Sequence, residues 1–297
     1  MGEWGRRVVG IVVCLMGIAT AGLAAEKTDL GPQPTPDRNW QVGFNPSYSS
    51  GNYGTSTTST FFYAPLSIRR FFKDGDVALV IPFVTVTTTG GATLVGGQPT
   101  QTLPESCFSN SGQGKPEDRP ECQGLVTGGA QGQKVTNSGL GDIILRGRYY
   151  IVEEKGWTPL IAVTGRLKLP TADESQGLGT GKMDQGVGAE LSKLVGNNWI
   201  LFLDGGFNVI GRPEGRNLRN QWWYDVGGGY YFTKDLFGSV YFEEYRSLIS
   251  GNQNIRDVFF GMNYRASSEW RFNGGVTVGL SNGAPDYGLS TGVSYRF

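Results

Sequence analysis

Histidine is absent from all 297 residues. That removes Ser-His-Asp and Cys-His catalysis, and with them the commonest zinc ligand. Charged residues make up only 18% of the chain, and 26 basic residues balance 26 acidic ones. There is therefore neither a basic footprint for nucleic acid nor an acidic tail. Beyond the N-terminus no run of about eighteen apolar residues occurs, so a mature transmembrane helix is not expected. Mean hydropathy is −0.24. A β-barrel can still cross lipid with such a composition, because its apolar residues alternate with polar ones.

Other catalytic patterns are missing too. The segment 177–182 (GLGTGK) lacks the spacing of a phosphate-binding loop, and Met183 stands where that loop needs Ser or Thr. It is expected to be a flexible outer loop. Glu243 and Glu244 are adjacent, so on a strand they point to opposite faces and cannot act as a carboxylate pair. No enzyme activity, metal or cofactor is expected.

What is present begins with a secretory signal. Arg6 and Arg7 supply its basic start, residues 8–18 its apolar stretch, and residues 21–25 (AGLAA) its small-residue cleavage zone. A retained anchor would need a longer apolar stretch. The domain reading is residues 1–25 as signal peptide, 26–38 as a proline-rich periplasmic tail and 39–297 as one barrel domain. The mature chain should start at Ala25 or Glu26 and fractionate with the outer membrane, which intact-mass measurement and membrane separation check. Cys14 leaves with the signal. Cys107 and Cys122 remain in a Gly/Pro/Ser-rich stretch and are expected to form a disulfide. Mass spectrometry of the unreduced protein tests this, and two free thiols would contradict it.

From Trp40 onward the dominant pattern is period two. Tyr287, Leu289, Thr291, Val293, Tyr295 and Phe297 share one face, while Gly288, Ser290, Gly292, Ser294 and Arg296 share the other. Further candidate strands lie near 40–49, 57–69, 77–88, 140–152, 157–170, 184–194, 199–210, 221–232, 236–248, 255–265 and 270–280. The fold class is thus all-β, a transmembrane antiparallel barrel of about twelve strands. Short turns near Asp74, Glu154, Asn197, Lys234 and Ser267 alternate with long glycine-rich loops, as periplasmic turns and outer loops do. Trp157, Trp199, Trp222, Trp223 and Trp270 near strand ends suit interfacial girdles. A soluble β-sandwich does not call for such regular alternation of connection length.

The glycine- and charge-bearing face points inward, since a charge facing lipid costs about 2 to 4 kcal/mol for Arg or Lys. That makes Arg146, Arg148, Arg166 and Lys168 candidate pore-lining residues on the fourth and fifth strands. Asp184, Glu190, Asp204, Asp225, Glu243 and Asp257 are their acidic counterparts on the sixth to tenth. Two readings stay open: opposed walls that set a transverse field across a narrow pore, or ion pairs that fill and stiffen a closed barrel. Inward Gly186, Gly188, Gly227 and Gly229 leave space for a pore.

The segments 138–143 (SGLGDI), 167–173 (LKLPTAD) and 177–184 (GLGTGKMD), with 204–207 (DGGF) and 242–244 (FEE), resemble the outer-membrane family associated with the meta-pathway of phenol degradation. The chain's end at Tyr295, Arg296 and Phe297 is similar to that of outer-membrane barrels generally, whose last strand the insertion machinery uses. The resemblance implies a barrel that admits aromatic or other small hydrophobic compounds. The expected surroundings are outer-membrane lipid and lipopolysaccharide, the insertion machinery at Phe297, and small solutes. The alternative is a non-conducting barrel whose long loop, from about Gly90 to Ser138, contacts a partner.

Overall fold

A computed structural model of the protein describes residues 38–55, 57–89, 92–101, 134–214 and 216–297. The signal, most of the tail, Cys107, Cys122 and most of the long loop lie outside the described residues.

The first barrel span consists of β1 (Trp40–Phe44) and β2 (Ser47–Gly51), interrupted at Asn45 and Pro46. Pro46 has no N–H to give to a ladder, although its carbonyl still accepts from the Thr291 amide at 3.1 Å. Next come β3 (Ser59–Phe72), β4 (Gly75–Thr88) and a small separate hairpin of β5 (Ala92–Val95) and β6 (Gln98–Gln101). A second interrupted span, β7 (Val135–Leu140) with β8 (Ile144–Val152), leads to β9 (Leu160–Lys168), β10 (Asp184–Val195) and β11 (Trp199–Val209). The remainder are β12 (Gln221–Tyr231), β13 (Leu236–Tyr245), β14 (Ile255–Arg265), β15 (Trp270–Gly279) and β16 (Tyr287–Arg296). Counting each interrupted span once gives twelve antiparallel strands, and β16 closes the ring on β1 and β2.

The pleat sorts side chains in the inverted sense of a membrane protein. On β11, Ile200, Phe202, Asp204 and Asn208 are buried, while Trp199, Leu201, Leu203, Phe207 and Val209 are 42–56% exposed. Five apolar side chains outside and an aspartate inside require lipid as the outer solvent. Aromatic rings band both ends of this belt. At the short-turn end Trp199 meets Tyr230 at 4.8 Å and Trp270 meets Tyr295 at 4.9 Å; at the other, Tyr48 meets Tyr287 at 6.3 Å. The protein is an outer-membrane β-barrel.

Several boundaries differ from the sequence expectation. β3 runs on to Phe72, and β9 begins only at Leu160, after the Lys155–Thr158 bridge at the turn. Trp223 does not join a girdle: it points inward, is buried and stacks on Tyr245 at 6.1 Å. Adjacent Trp222 and Trp223 must face opposite ways on a strand, so only Trp222 is available to the interface.

Candidate functional site: the barrel lumen

All ten charged residues singled out in the sequence lie on the inward face. Nine are buried and Arg166 is half-buried. The strand register brings five of them into one row. Glu190 lies opposite Asp204, Asp204 opposite Asp225, Asp225 opposite Glu243, and Glu243 opposite Asp257. Like charges directly across a sheet repel, so this ladder needs cations facing it. Arg148 supplies one, with Nε 3.0 Å from Glu190, while its Nη1 lies 3.5 Å from Asp76. Asp76 also accepts two bonds from Arg69, at 2.8 and 2.9 Å. Arg146, Asp204, Asp225, Glu243, Asp257 and Arg271 each have partners as well.

Arg271 and Arg296 join this charged interior from the polar face that the alternation of the last two strands had turned inward, and so do Arg69, Asp76 and Asp142, which sequence reasoning did not single out. Parity was the available signal: Arg69 shares a face with Phe61, Tyr63 and Ser67. It was obscured because that face carries aromatics, contrary to a simple polar-inside rule. Arg69 and Arg296 both lie over the Phe71 ring, at 4.8 and 4.2 Å.

Lys168 and Asp184 form a separate corner. The Lys168 side chain is fully buried, and its Nζ lies 2.8 Å from Asp184, 3.1 Å from Asp142 and 2.8 Å from the Thr180 hydroxyl. Asp142 in turn accepts from the Ala172 amide, and Asp184 from the Gly211 amide. The Thr171 hydroxyl accepts from the Ile143 amide and donates to the Gly141 carbonyl. Gly179 packs where a Cβ would come within 2.7 Å of the Ala172 Cβ and 2.9 Å of Asp142. The three segments 138–143, 167–173 and 177–184 thus converge on one lysine. This corrects the expectation of a flexible loop: Leu178 and Thr180 are buried in the mouth.

The hairpin β5–β6 folds inward and fills the extracellular mouth. Its two-residue turn, Gly96 and Gly97, has φ of 60° and 84°, the left-handed values that a tight hairpin of this kind requires and glycine adopts freely. Ala92 and Leu94 pack with Tyr53, Phe61, Tyr63 and Leu178, while Val95 packs with Ile210, Leu218, Leu248 and Ile249. Side-chain hydrogen bonds tie it to the wall: among the described residues Thr93 Oγ1 donates to the Gly177 carbonyl at 2.6 Å, and Arg166 donates to the Gly96 carbonyl. Beside Arg166, Asp184 and Asn208 a space of about 10 Å³ is left, barely enough for one water. Deeper in the barrel, Phe202, Phe237, Tyr241 and Phe259 form an aromatic cluster in which Phe202 and Tyr241 stack at 5.3 Å.

Residues 45–297 match the family described as "Putative MetA-pathway of phenol degradation". The chain belongs to that family. Curated proteins offer no match. Among solved structures, an outer-membrane channel from Pseudomonas putida F1 aligns with a TM-score of 0.63 at 10% identity, over 89% of this chain and 97% of that one. At that identity the likeness is one of fold. The NanC porin (TM-score 0.49, 10% identity, 86% and 100% covered) and the Pseudomonas putida toluene transporter TodX (0.42, 11%, 98% and 96%) are more distant and bear no weight. Family membership and the barrel agree with what the motifs implied.

Proposed function

We propose that the protein is a channel through which small aromatic or otherwise hydrophobic solutes enter passively, with β5–β6 as its movable part. The observation that carries this reading is that the mouth is filled by an inserted hairpin and not by the strands' own side chains. A small barrel built only for rigidity closes with wall residues. A hairpin held by apolar contacts and side-chain hydrogen bonds such as those of Thr93 and Arg166 can leave without dismantling the wall. The surfaces it would vacate are apolar and aromatic, Phe61, Tyr63, Leu178 and Leu218 among them, which suits an aromatic solute and agrees with the family's description. The ten charged residues would then line the path below, acids facing bases, as a transverse field that orients polar substituents. No catalytic role is assigned to the protein. The C-terminal strand ending at Phe297 is the segment offered to the insertion machinery.

The buried charge network favours one competing reading, a sealed barrel that acts through its outer loop. Deleting residues 92–101 from the full chain separates the two. The channel reading expects phenol entry into liposomes carrying the wild-type protein, and a larger conductance step in planar bilayers for the deletion. If the deleted protein still migrates as a folded barrel on unheated gels yet carries no current, the sealed barrel is correct.

A further inference from the structure

Glycines occur on both faces of β12–β15 near the short-turn end, and those facing inward have a packing reason. A Cβ on Gly229 would meet the Phe237 ring at 2.0 Å, and one on Gly275 the Phe259 ring at 2.2 Å. Of the outward ones, Gly238 is also close-packed, since a Cβ there would meet the Phe232 ring at 2.8 Å and the Met262 sulfur at 3.0 Å, but Gly274 is open. On Gly274 a Cβ would meet nothing nearer than the Ser290 carbonyl at 3.5 Å. In register, Tyr230 lies opposite Gly238, Gly238 opposite Met262, and Met262 opposite Gly274. This large–small alternation cuts a furrow of about 550 Å³ into the lipid-facing wall, floored by Gly228, Gly238 and Gly274. Its size falls within the usual range of small-ligand sites, roughly 300 to 1,000 Å³.

Trp199, Tyr230 and Phe232 edge the furrow on the periplasmic side, at the height where amphipathic rings meet headgroups. Two residues past Phe232, the turn presents Lys234 with its side chain 87% exposed. Its ammonium is 3.8 Å from Asp235, a carboxylate already engaged by Arg265 at 2.8 Å. An apolar furrow whose rim residue Phe232 lies two residues from an exposed cation matches one molecule that this leaflet supplies. We propose that the furrow and Lys234 form a site for a single anionic phospholipid of the inner leaflet, with an acyl chain over the glycine floor and the phosphate at Lys234. Because lipid tails are as apolar as the wall, shape and the headgroup charge supply the selectivity, not burial from water. The site is independent of whether the lumen conducts.

Native mass spectrometry of the full mature protein tests this, with phosphatidylglycerol and phosphatidylcholine of identical chains as probes. One phosphatidylglycerol should be retained under activation that strips the detergent. Gly274→Leu places its Cβ in open space and its branch over the floor, and should lower occupancy about tenfold, equivalent to about 1.4 kcal/mol. Lys234→Ala, in an exposed turn, should reduce phosphatidylglycerol to the level of phosphatidylcholine and leave the latter unchanged. Equal occupancy in wild type and Gly274→Leu overturns the proposal, as does a charge preference that survives Lys234→Ala. A dimer lost in Gly274→Leu would assign the furrow to a second copy and overturn it equally.

Discussion

Replacing Lys168 with methionine should destabilise the barrel by about 3 to 5 kcal/mol, the range for removing one partner of a buried ion pair. The cause lies less in lost attraction than in what is left behind. Asp142 and Asp184 would remain as neighbouring carboxylates, both nearly buried, with no ammonium between them. Thr180 would lose its donor at the same time, and the loop between β9 and β10 should detach. The variant Lys168→Met/Asp142→Asn/Asp184→Asn should recover most of the loss, since replacing all members of a buried charge cluster is far less costly than orphaning some. Denaturant unfolding in detergent, followed by tryptophan fluorescence, measures both. A loss below about 1 kcal/mol for the single variant would mark the corner as solvated.

Arg166→Ala should act on current more than on stability. In the open-pore reading of the sequence Arg166 stands on a water-filled wall, where its loss would cost about 0 to 1 kcal/mol and shift ion preference toward cations. Its position at the hairpin turn adds a second effect. A hydrogen bond from a charged donor contributes about 1.5 to 3 kcal/mol, and here it holds the Gly96 carbonyl. If displacement of β5–β6 opens the mouth, losing that bond should raise the open population by about ten- to a hundredfold, at 1.4 kcal/mol per decade. Single-channel recording in a salt gradient reads opening frequency and reversal potential together. Unchanged opening frequency would show that Arg166 does not latch the hairpin.

Barrel architecture was legible in the sequence because period-two alternation and the long/short rhythm of connections are local signals. The inward face of β8 to β14 could be read from Arg146, Arg166 and Asp204 for the same reason: lipid tolerates few charges. The contents of the lumen were harder to see. Phe202, Phe237, Tyr241 and Phe259 sit inside, so on β11, β13 and β14 apolarity does not separate the two faces. The inserted hairpin lies within a stretch that the sequence shows only as one long outer loop. Its signal was the Gly96-Gly97 pair itself, a valid turn pattern that cannot by itself say whether the hairpin points toward solvent or into the barrel. The convergence on Lys168 depends on residues from 142 to 184 meeting in three dimensions, which spacing alone does not encode.

The interrupted span at Asn45 and Pro46 also governs how the ring forms. Most of the other neighbouring strands are consecutive in the chain, so they can zip as hairpins with little entropy lost per step. The seam is the exception: Gln41 pairs with Arg296 and Ser47 with Ser290, across nearly the whole sequence. β1 and β2 each supply only a short stretch of it, with Pro46 between them. Closure at this seam is therefore expected to be the slow step of folding, and the same seam the first to part under load.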